Sequence, residues 1–385
     1  MRDFASDSLG HRAWRRPSFG QVGRQQQEYR LVIIVMQPHA ADAAIDRVSA
    51  EIRRMGSTPH LSKGQFRTVI GAVGEEGTLD PMHLQSLDGV EKVVPIMKPY
   101  KLASREFHED DTVVTIGGTP GSKVPGVKVG GAHAVCISGP CAVENEQMLV
   151  KIARHVRDGG ATVLRGGVYK PRTSPYSFQG LGLQALKWMR AVGDELGMPI
   201  CVEVMDTRQV ADMEPYVDCF QIGARNMQNF DLLREVGKTR KAVLLKRGLA
   251  ATVKDWLLSA EYVLSQGNRG VILCERGIKT FEDSIRYTLD ITSIGVAGQW
   301  SHLPIIVDPS HAAGKRDYVA SLAMAGMAAG AHGVIVEVHY CPSEAQCDGP
   351  QALLPETFQA LMGKLRQVAA INGKEFADVA ELSTV

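Results

Sequence analysis

Charge of one sign is not in excess in this 385-residue chain, where 43 Lys and Arg stand against 42 Asp and Glu for a formal net charge of +1. No whole-molecule field therefore points to nucleic acid or to an anionic membrane surface, and any cationic site must be local. Long apolar runs are absent too: none approaches the roughly 20 residues that a membrane-spanning helix needs. Residues 1–28 lack the apolar core of a secretory signal. Their Arg and Ser content would suit an organelle transit peptide, but Asp3, Asp7 and the lack of an amphipathic face oppose that reading. Cysteine is present in an odd number, seven, spread through apolar strand-like runs, which suits a reducing compartment better than a disulfide framework. A cytoplasmic protein is expected.

With 44% hydrophobic and 22% charged residues, the chain can bury a full core, with room for one large domain and a small one. Residues 1–28 show no apolar periodicity and are expected to form a disordered tail. Residues 29–98 alternate strand and helix patterns: Tyr29 to Met36, a helical stretch from Ala41 to Met55, a short strand near His60, Arg67 to Val73, a helical piece near Pro81, and Val90 to Met97. That order predicts a ferredoxin-like βαββαβ unit. Residues 99–131 read as a linker carrying β-prone runs at Thr112 to Ile116 and Val124 to Val129, a short hairpin.

From Ala132 to the end, short apolar runs begin at Ala134, Thr162, Pro199, Cys219, Ala242, Val271, Pro304 and Gly333, with amphipathic helices between them. The stripe Met148, Leu149, Ile152, Val156, ended by Gly159 and Gly160, is one such helix. Eight strands alternating with helices predict an α/β fold, a closed (β/α)8 TIM barrel over 132–385. A doubly wound open sheet is the alternative, weakened because no glycine-rich dinucleotide fingerprint follows the first strand.

In such a barrel the chemistry sits where the strands end, and here the ends are rich in charge. Arg165, Lys170, Arg172, Arg225, Lys246 and Arg276 would place six cations around one mouth, enough to grip two anionic substrates through forked guanidinium contacts. The plainer reading pairs each with acids such as Glu203 and Glu275, but six in register are hard to explain as surface charge. Cys141, His311, Glu337 and Asp348 come from strands one, seven and eight and the loop after eight, which are neighbours once the barrel closes. Sulfur, imidazole and two carboxylates suit Mn2+, Fe2+, Zn2+ or Co2+ rather than Ca2+ or Mg2+. Each has a plainer reading alone, Cys141 as a small buried hydrophobe and His311 as a structural histidine. His339 shares the face of Glu337 and competes as ligand or supporting partner. Cys341 and Cys347 rank below Cys141, because they lie in a loop that strand geometry does not hold.

At these positions the chain closely resembles the 3-deoxy-D-arabino-heptulosonate 7-phosphate (DAHP) synthases of the type Iβ group that carry an N-terminal ferredoxin-like regulatory domain. The likeness rests on Gly139-Pro-Cys-Ala-Val-Glu144, on Leu164 to Gly180 with its Lys170-Pro-Arg-Thr-Ser, on Gln221-Ile-Gly-Ala-Arg-Asn226 and on Leu245-Lys-Arg-Gly248. Cys274-Glu-Arg-Gly277, Asp308-Pro-Ser-His311 and Ile335-Val-Glu-Val-His339 extend it, and Leu61 to Gly71 and Lys98 to His108 carry it into the N-terminal module.

The resemblance implies a metal held by Cys141, His311, Glu337 and Asp348, and phosphoenolpyruvate surrounded by Arg165, Lys170, Arg225, Lys246 and Arg276, with Asp308 grouped among the substrate-binding residues. Arg172 and Thr173 would meet the phosphate of erythrose 4-phosphate. Lys170 is the candidate proton donor, with a pKa expected to be lowered by neighbouring cations, and His311 or a metal-bound water is the alternative. An aromatic amino acid, tyrosine or phenylalanine, would bind the N-terminal module and lead it to cover the barrel mouth. A homo-oligomer, preferably a tetramer, is implied.

Cys347 before Asp348 and the segment Tyr340-Cys-Pro342 depart from the family pattern. The rival readings are a 3-deoxy-D-manno-octulosonate 8-phosphate synthase using arabinose 5-phosphate, whose equivalent loop carries an Asn-containing pattern, a class II aldolase-like metal enzyme, and a non-catalytic metabolite-binding barrel.

Overall fold

Alternation along β1 (Tyr29–Met36) places Val32, Ile34 and Met36 on one face and Ile33 and Val35 on the other, and each face finds its own core. The computed structural model describes residues 29–64, 67–75, 79–96, 99–172 and 174–377. The expected tail at 1–28 and Thr173 lie outside them.

Within the N-terminal module, β1 is followed by α1 (Asp42–Arg54), β2 (Thr58–Lys63), β3 (Thr68–Glu75), α2 (Pro81–Gln85) and β4 (Val90–Ile96). The antiparallel sheet runs in the order β2-β3-β1-β4. Ala44, Ile45, Val48 and Ile52 of α1 recur at helical spacing and bury against Val32, Ile34 and Met36. On the other face, Ile33 and Val35 pack with Tyr100, Leu102 and Phe107 of the following segment.

That segment is more than a tether. Its hairpin, β5 (Val114–Ile116) against β6 (Val127–Val129), turns Val114, Ile116, Val127 and Val129 into one cluster with the barrel interior, where Val135, Ile137, Leu244, Ile272 and Ile335 meet them. The hairpin is the floor of the barrel.

Eight parallel strands follow: β7 (His133–Gly139), β8 (Val163–Arg165), β9 (Ile200–Val204), β10 (Cys219–Ile222), β11 (Ala242–Lys246), β12 (Val271–Glu275), β13 (Ile305–Val307) and β14 (Gly333–Glu337). β14 pairs with β7 and closes the ring. The connecting helices are α3 (Glu146–Asp158), α4 (Leu183–Leu196), α5 (Thr207–Met213), α6 (Phe230–Lys238), α7 (Val253–Leu264), α8 (Ile291–Trp300), α9 (Pro309–Ala313) and α10 (Arg316–Ala328). α11 (Pro355–Ile371) leads to β15 (Glu375–Phe376) beside β7. Helix starts are locally encoded: the Asn145 side chain accepts from Met148 N at 2.8 Å, and Thr252 and Asp255 form a capping box. All seven cysteines are free thiols. No described helix is long and apolar enough to cross a membrane.

The module and its connecting segment are pinned at the end of the barrel where the strands begin. Leu102 N and Ala103 N donate to the two oxygens of Glu261 at 2.8 and 2.9 Å. His302 accepts from Thr112 Oγ1 at Nδ1 and donates from Nε2 to Leu102 O, both at 2.7 Å, an assignment that its partners dictate.

Burial pushes the imidazoles of His302 and His332 down to about 4 from the ordinary 6.5. Both protonate more readily in the unfolded chain, so their contribution is fully present above about pH 6.5 and is lost as pH falls from there toward about 4, by roughly 3 kcal/mol each. The urea midpoint should drop between about pH 7.5 and about pH 5, and less steeply in His302→Gln. A pH-independent midpoint would contradict this account.

Candidate metal and substrate site

The carboxyl ends of β8 to β14 and the loops after them border a cavity of about 330 Å³ whose wall includes Lys170, Arg172, Arg225, Lys246, Arg276 and His311. Backbone geometry prepares this face. Gly139 ends β7 with φ +155°, and a Cβ there would lie 2.1 Å from Arg165 O, so glycine lets the first two strands close tightly. A Cβ on Gly223 would lie 2.1 Å from Glu203 Oε1, so this glycine makes room for a carboxylate in the cavity wall.

The four residues expected to bind metal converge as two overlapping trios that share Asp348. Cys141, Cys347 and Asp348 offer ligand atoms within 4.8 Å of one another, and so do His311, Glu337 and Asp348. Cys141 Sγ lies 3.2 Å from Asp348 Oδ2, and His311 Nε2 lies 3.4 Å from Glu337 Oε1. The outer partners are in place: His311 Nδ1 meets Asp308 Oδ2 at 2.8 Å, Glu337 Oε1 accepts from Arg165 Nη1 at 2.8 Å and Glu337 Oε2 accepts from Gln351 Nε2 at 2.6 Å. Burial alone would raise the carboxyls of Asp348 and Glu337, but His311 and nearby cations outweigh it and hold both below their ordinary values. Sulfur, imidazole and ionised carboxylates within a few ångströms fit a divalent transition metal.

Several expected roles change. Asp308, expected among the substrate-binding residues, does not line the cavity: it is 1% exposed, and its carboxylate is occupied by Lys246 Nζ at 2.5 Å and by His311. It holds the Lys246 ammonium and the His311 imidazole in place. Arg165 lies outside the cavity wall, its Nη1 shared between Pro140 O and Glu337 at 2.8 Å each. Arg225 is exposed and donates to Pro171 O at 3.1 Å, fastening the loop that carries Lys170 and Arg172. Arg172 Nη1 donates to Cys347 Sγ at 2.7 Å.

Lys170 Nζ lies 3.0 Å from Cys141 Sγ and 3.1 Å from Cys141 O. Its pKa is raised, against expectation. Burial pushes it down, but Cys141, Cys347 and Glu337 supply more negative charge around it than the neighbouring cations offset. His339 joins neither trio: its Nδ1 accepts from Cys341 N and its ring stacks on Tyr340, 5.0 Å between centroids. Cys341 also stands apart, whereas Cys347, ranked low from sequence, sits 3.2 Å from Cys141 Sγ.

Acids do not quench the remaining cations in the way composition suggested. Glu275 is spent on Arg247 at 2.9 Å, and Glu203 accepts from Gln221 Nε2 at 2.9 Å. Arg276 is 6% exposed, donates weakly to His311 O at 3.3 Å and lies 4.4 Å from the Tyr287 ring centroid. Its Nη1 is buried with no hydrogen-bond partner among the described residues. Arg276 lines the cavity, and a buried guanidinium with a donor to spare suits an anion there. Sequence reasoning missed Arg286, which lines the same cavity and donates to Asp348 Oδ1 at 3.3 Å and Gln351 Oε1 at 3.2 Å. Its position in the long loop after β12 was the available signal.

The model of the DAHP synthetase I family matches residues 108–371, and that of the DAHP synthase ferredoxin-like domain matches 32–98. A phospho-2-dehydro-3-deoxyheptonate aldolase of Thermotoga maritima is 46% identical over 342 residues, covering 89% of this chain and 99% of that protein. A 2-dehydro-3-deoxyphosphooctonate aldolase of Syntrophobacter fumaroxidans is 33% identical over 279 residues, covering 67% of this chain and 96% of that protein. The crystal structure of the Thermotoga maritima DAHP synthase superposes with a TM-score of 0.70 at 45% identity, covering 90% of this chain and all of that one. A truncated form of that enzyme gives 0.66 at 43% identity, covering 72% of this chain and 99% of the truncated form.

Proposed function

The chain belongs to the DAHP synthetase I family, and from that premise we propose that its barrel mouth condenses phosphoenolpyruvate with D-erythrose 4-phosphate and water, releasing DAHP and inorganic phosphate, the first step of the shikimate pathway. The observation that carries this reading is the buried guanidinium nitrogen of Arg276 that has no partner among the described residues, on a residue lining the cavity that His311 and Asp348 also border. Greater identity to the heptonate than to the octonate aldolase, and a match that extends through the N-terminal module, favour the four-carbon aldose.

Metal dependence follows the family, and we assign the ion to Cys141, His311, Glu337 and Asp348, with Mn2+, Fe2+, Co2+ and Zn2+ as the candidate ions. Such an ion supplies Lewis acidity to the aldehyde oxygen. Arg276 and Lys246 grip the anionic groups of phosphoenolpyruvate, with Arg165 behind them, while Arg172 and Thr173 receive the aldose phosphate. So held, the enol carbon is aimed at the aldehyde. Lys170 gives its proton to the new alkoxide. Water then adds at C2 and passes a proton to Glu203, and the resulting hemiketal phosphate loses inorganic phosphate by C–O cleavage. The enzyme is read as a cytoplasmic homotetramer.

The test is loss of phosphoenolpyruvate absorbance by metal-loaded protein offered erythrose 4-phosphate or arabinose 5-phosphate, with and without a chelator. Consumption with erythrose 4-phosphate alone, abolished by the chelator and restored by added ion, is the expected outcome. Preference for the five-carbon sugar would transfer the assignment to the octonate enzymes, and no consumption with either would leave a binding protein.

We assign the N-terminal module to feedback control by tyrosine or phenylalanine. It lies at the barrel floor, away from the mouth of its own chain, so a module that covers a mouth covers that of another copy. A shortened chain should begin near Glu109 and not near Gly131, since a cut at 131 would remove the hairpin that fills the floor. Such a chain is expected to turn over normally and to ignore tyrosine and phenylalanine. Sensitivity equal to that of the full chain would refute the assignment.

A further inference from the structure

The segment after β14 brings two successive side chains to one centre. In extended backbone, neighbouring side chains point to opposite sides. Asp348, however, has φ +50° and ψ +30°, a left-handed conformation uncommon outside glycine. Around that turn, Cys347 Sγ and Asp348 Oδ2 end only 3.5 Å apart. Cys347 is 3% exposed, and its sulfur lies 3.2 Å from Cys141 Sγ.

Each sulfur also receives a fixed cationic donor, Lys170 Nζ at 3.0 Å from Cys141 Sγ and Arg172 Nη1 at 2.7 Å from Cys347 Sγ. These donors offset the charge that two sulfur anions would place in one buried spot. Two metal–sulfur bonds of about 2.3 Å at angles from about 90° to about 110°, as five ligands allow, set their sulfurs roughly 3.3 to 3.8 Å apart. The pair therefore needs to open by about half an ångström at most to share an ion. Cys347 stands in the same relation to Asp348 as Cys141 does.

We propose that Cys347 is a second sulfur ligand of the divalent ion, beside Cys141, which makes this a two-sulfur centre that favours thiophilic ions such as Zn2+ over Mn2+. Softer ligands bind the borderline and soft ions preferentially, while Mn2+ prefers oxygen. The inference rests on the reading of Cys141, His311, Glu337 and Asp348 as the metal site.

X-ray absorption on the full-length protein loaded with Zn2+ tests it without any variant: two sulfur neighbours at about 2.3 Å are expected. In Cys347→Ser, folded by circular dichroism, the count should fall to one, and the near-ultraviolet sulfur-to-metal band of the Co2+ form should drop by about half. The competitive preference for Zn2+ over Mn2+ should fall about tenfold or more. A single sulfur in the unaltered protein, lost in Cys141→Ser, overturns the second ligand and leaves the metal site standing. A bound ion with no sulfur neighbour, or no uptake of ion, overturns both.

Discussion

Replacing Arg276 with Met is expected to cut kcat/KM for phosphoenolpyruvate by about 30-fold to several thousandfold, while raising resistance to denaturant. Removing one partner of a buried, charge-assisted contact costs on the order of 2–5 kcal/mol. In the free protein the balance is reversed. The guanidinium is buried, its Nη1 has no partner among the described residues, and burial pushes its pKa down because too little negative charge compensates it. Methionine fills similar volume without an unpaired charge, so the urea midpoint should rise. Steady-state kinetics and a denaturation curve on one preparation suffice. Near-normal kcat/KM would remove Arg276 from the substrate site, and lost stability would show that its charge is satisfied in solution.

Lys170→Met should lower kcat by about 10² to 10⁴, the usual contribution of a positioned proton donor. The same ammonium touches Cys141 Sγ at 3.0 Å, so loss of the ion could imitate loss of the acid. Metal content must therefore be measured on the same sample. Full metal with depressed kcat and little change in KM for either substrate is the result expected of a proton donor. Turnover near that of the unaltered enzyme would assign the proton to another group, with His311 the nearest alternative.

The βαββαβ order, the eight strand starts and the residues closing each strand were legible in the sequence because they depend on local chemistry. The apolar run from Leu31 to Met36 marked β1, and Met148, Leu149, Ile152 and Val156 marked the buried stripe of α3. Asn145 and the Thr252–Asp255 box start their helices through contacts three residues apart. Closure of the barrel made neighbours of Cys141 and the residues around β14, so the metal-ligand candidates could be drawn from strand order alone.

Distances between parts far apart in sequence were decided elsewhere. Asp308 carries the same strand-end signature as Lys246, and only packing showed that the two satisfy each other at 2.5 Å. Arg276 and Arg247 follow adjacent strands with equal charge, yet Glu275 and Asp290 quench Arg247, whereas no acid among the described residues bonds to Arg276. The hairpin at 114–129 reads as a linker until its four aliphatic side chains are seen to close the barrel floor. Cys347 lies 206 residues from Cys141 and beside a left-handed turn that no periodicity announces. Local propensity and period set the elements and their order, whereas pairing of buried charges and sulfurs follows from which side chains long-range packing leaves facing one another.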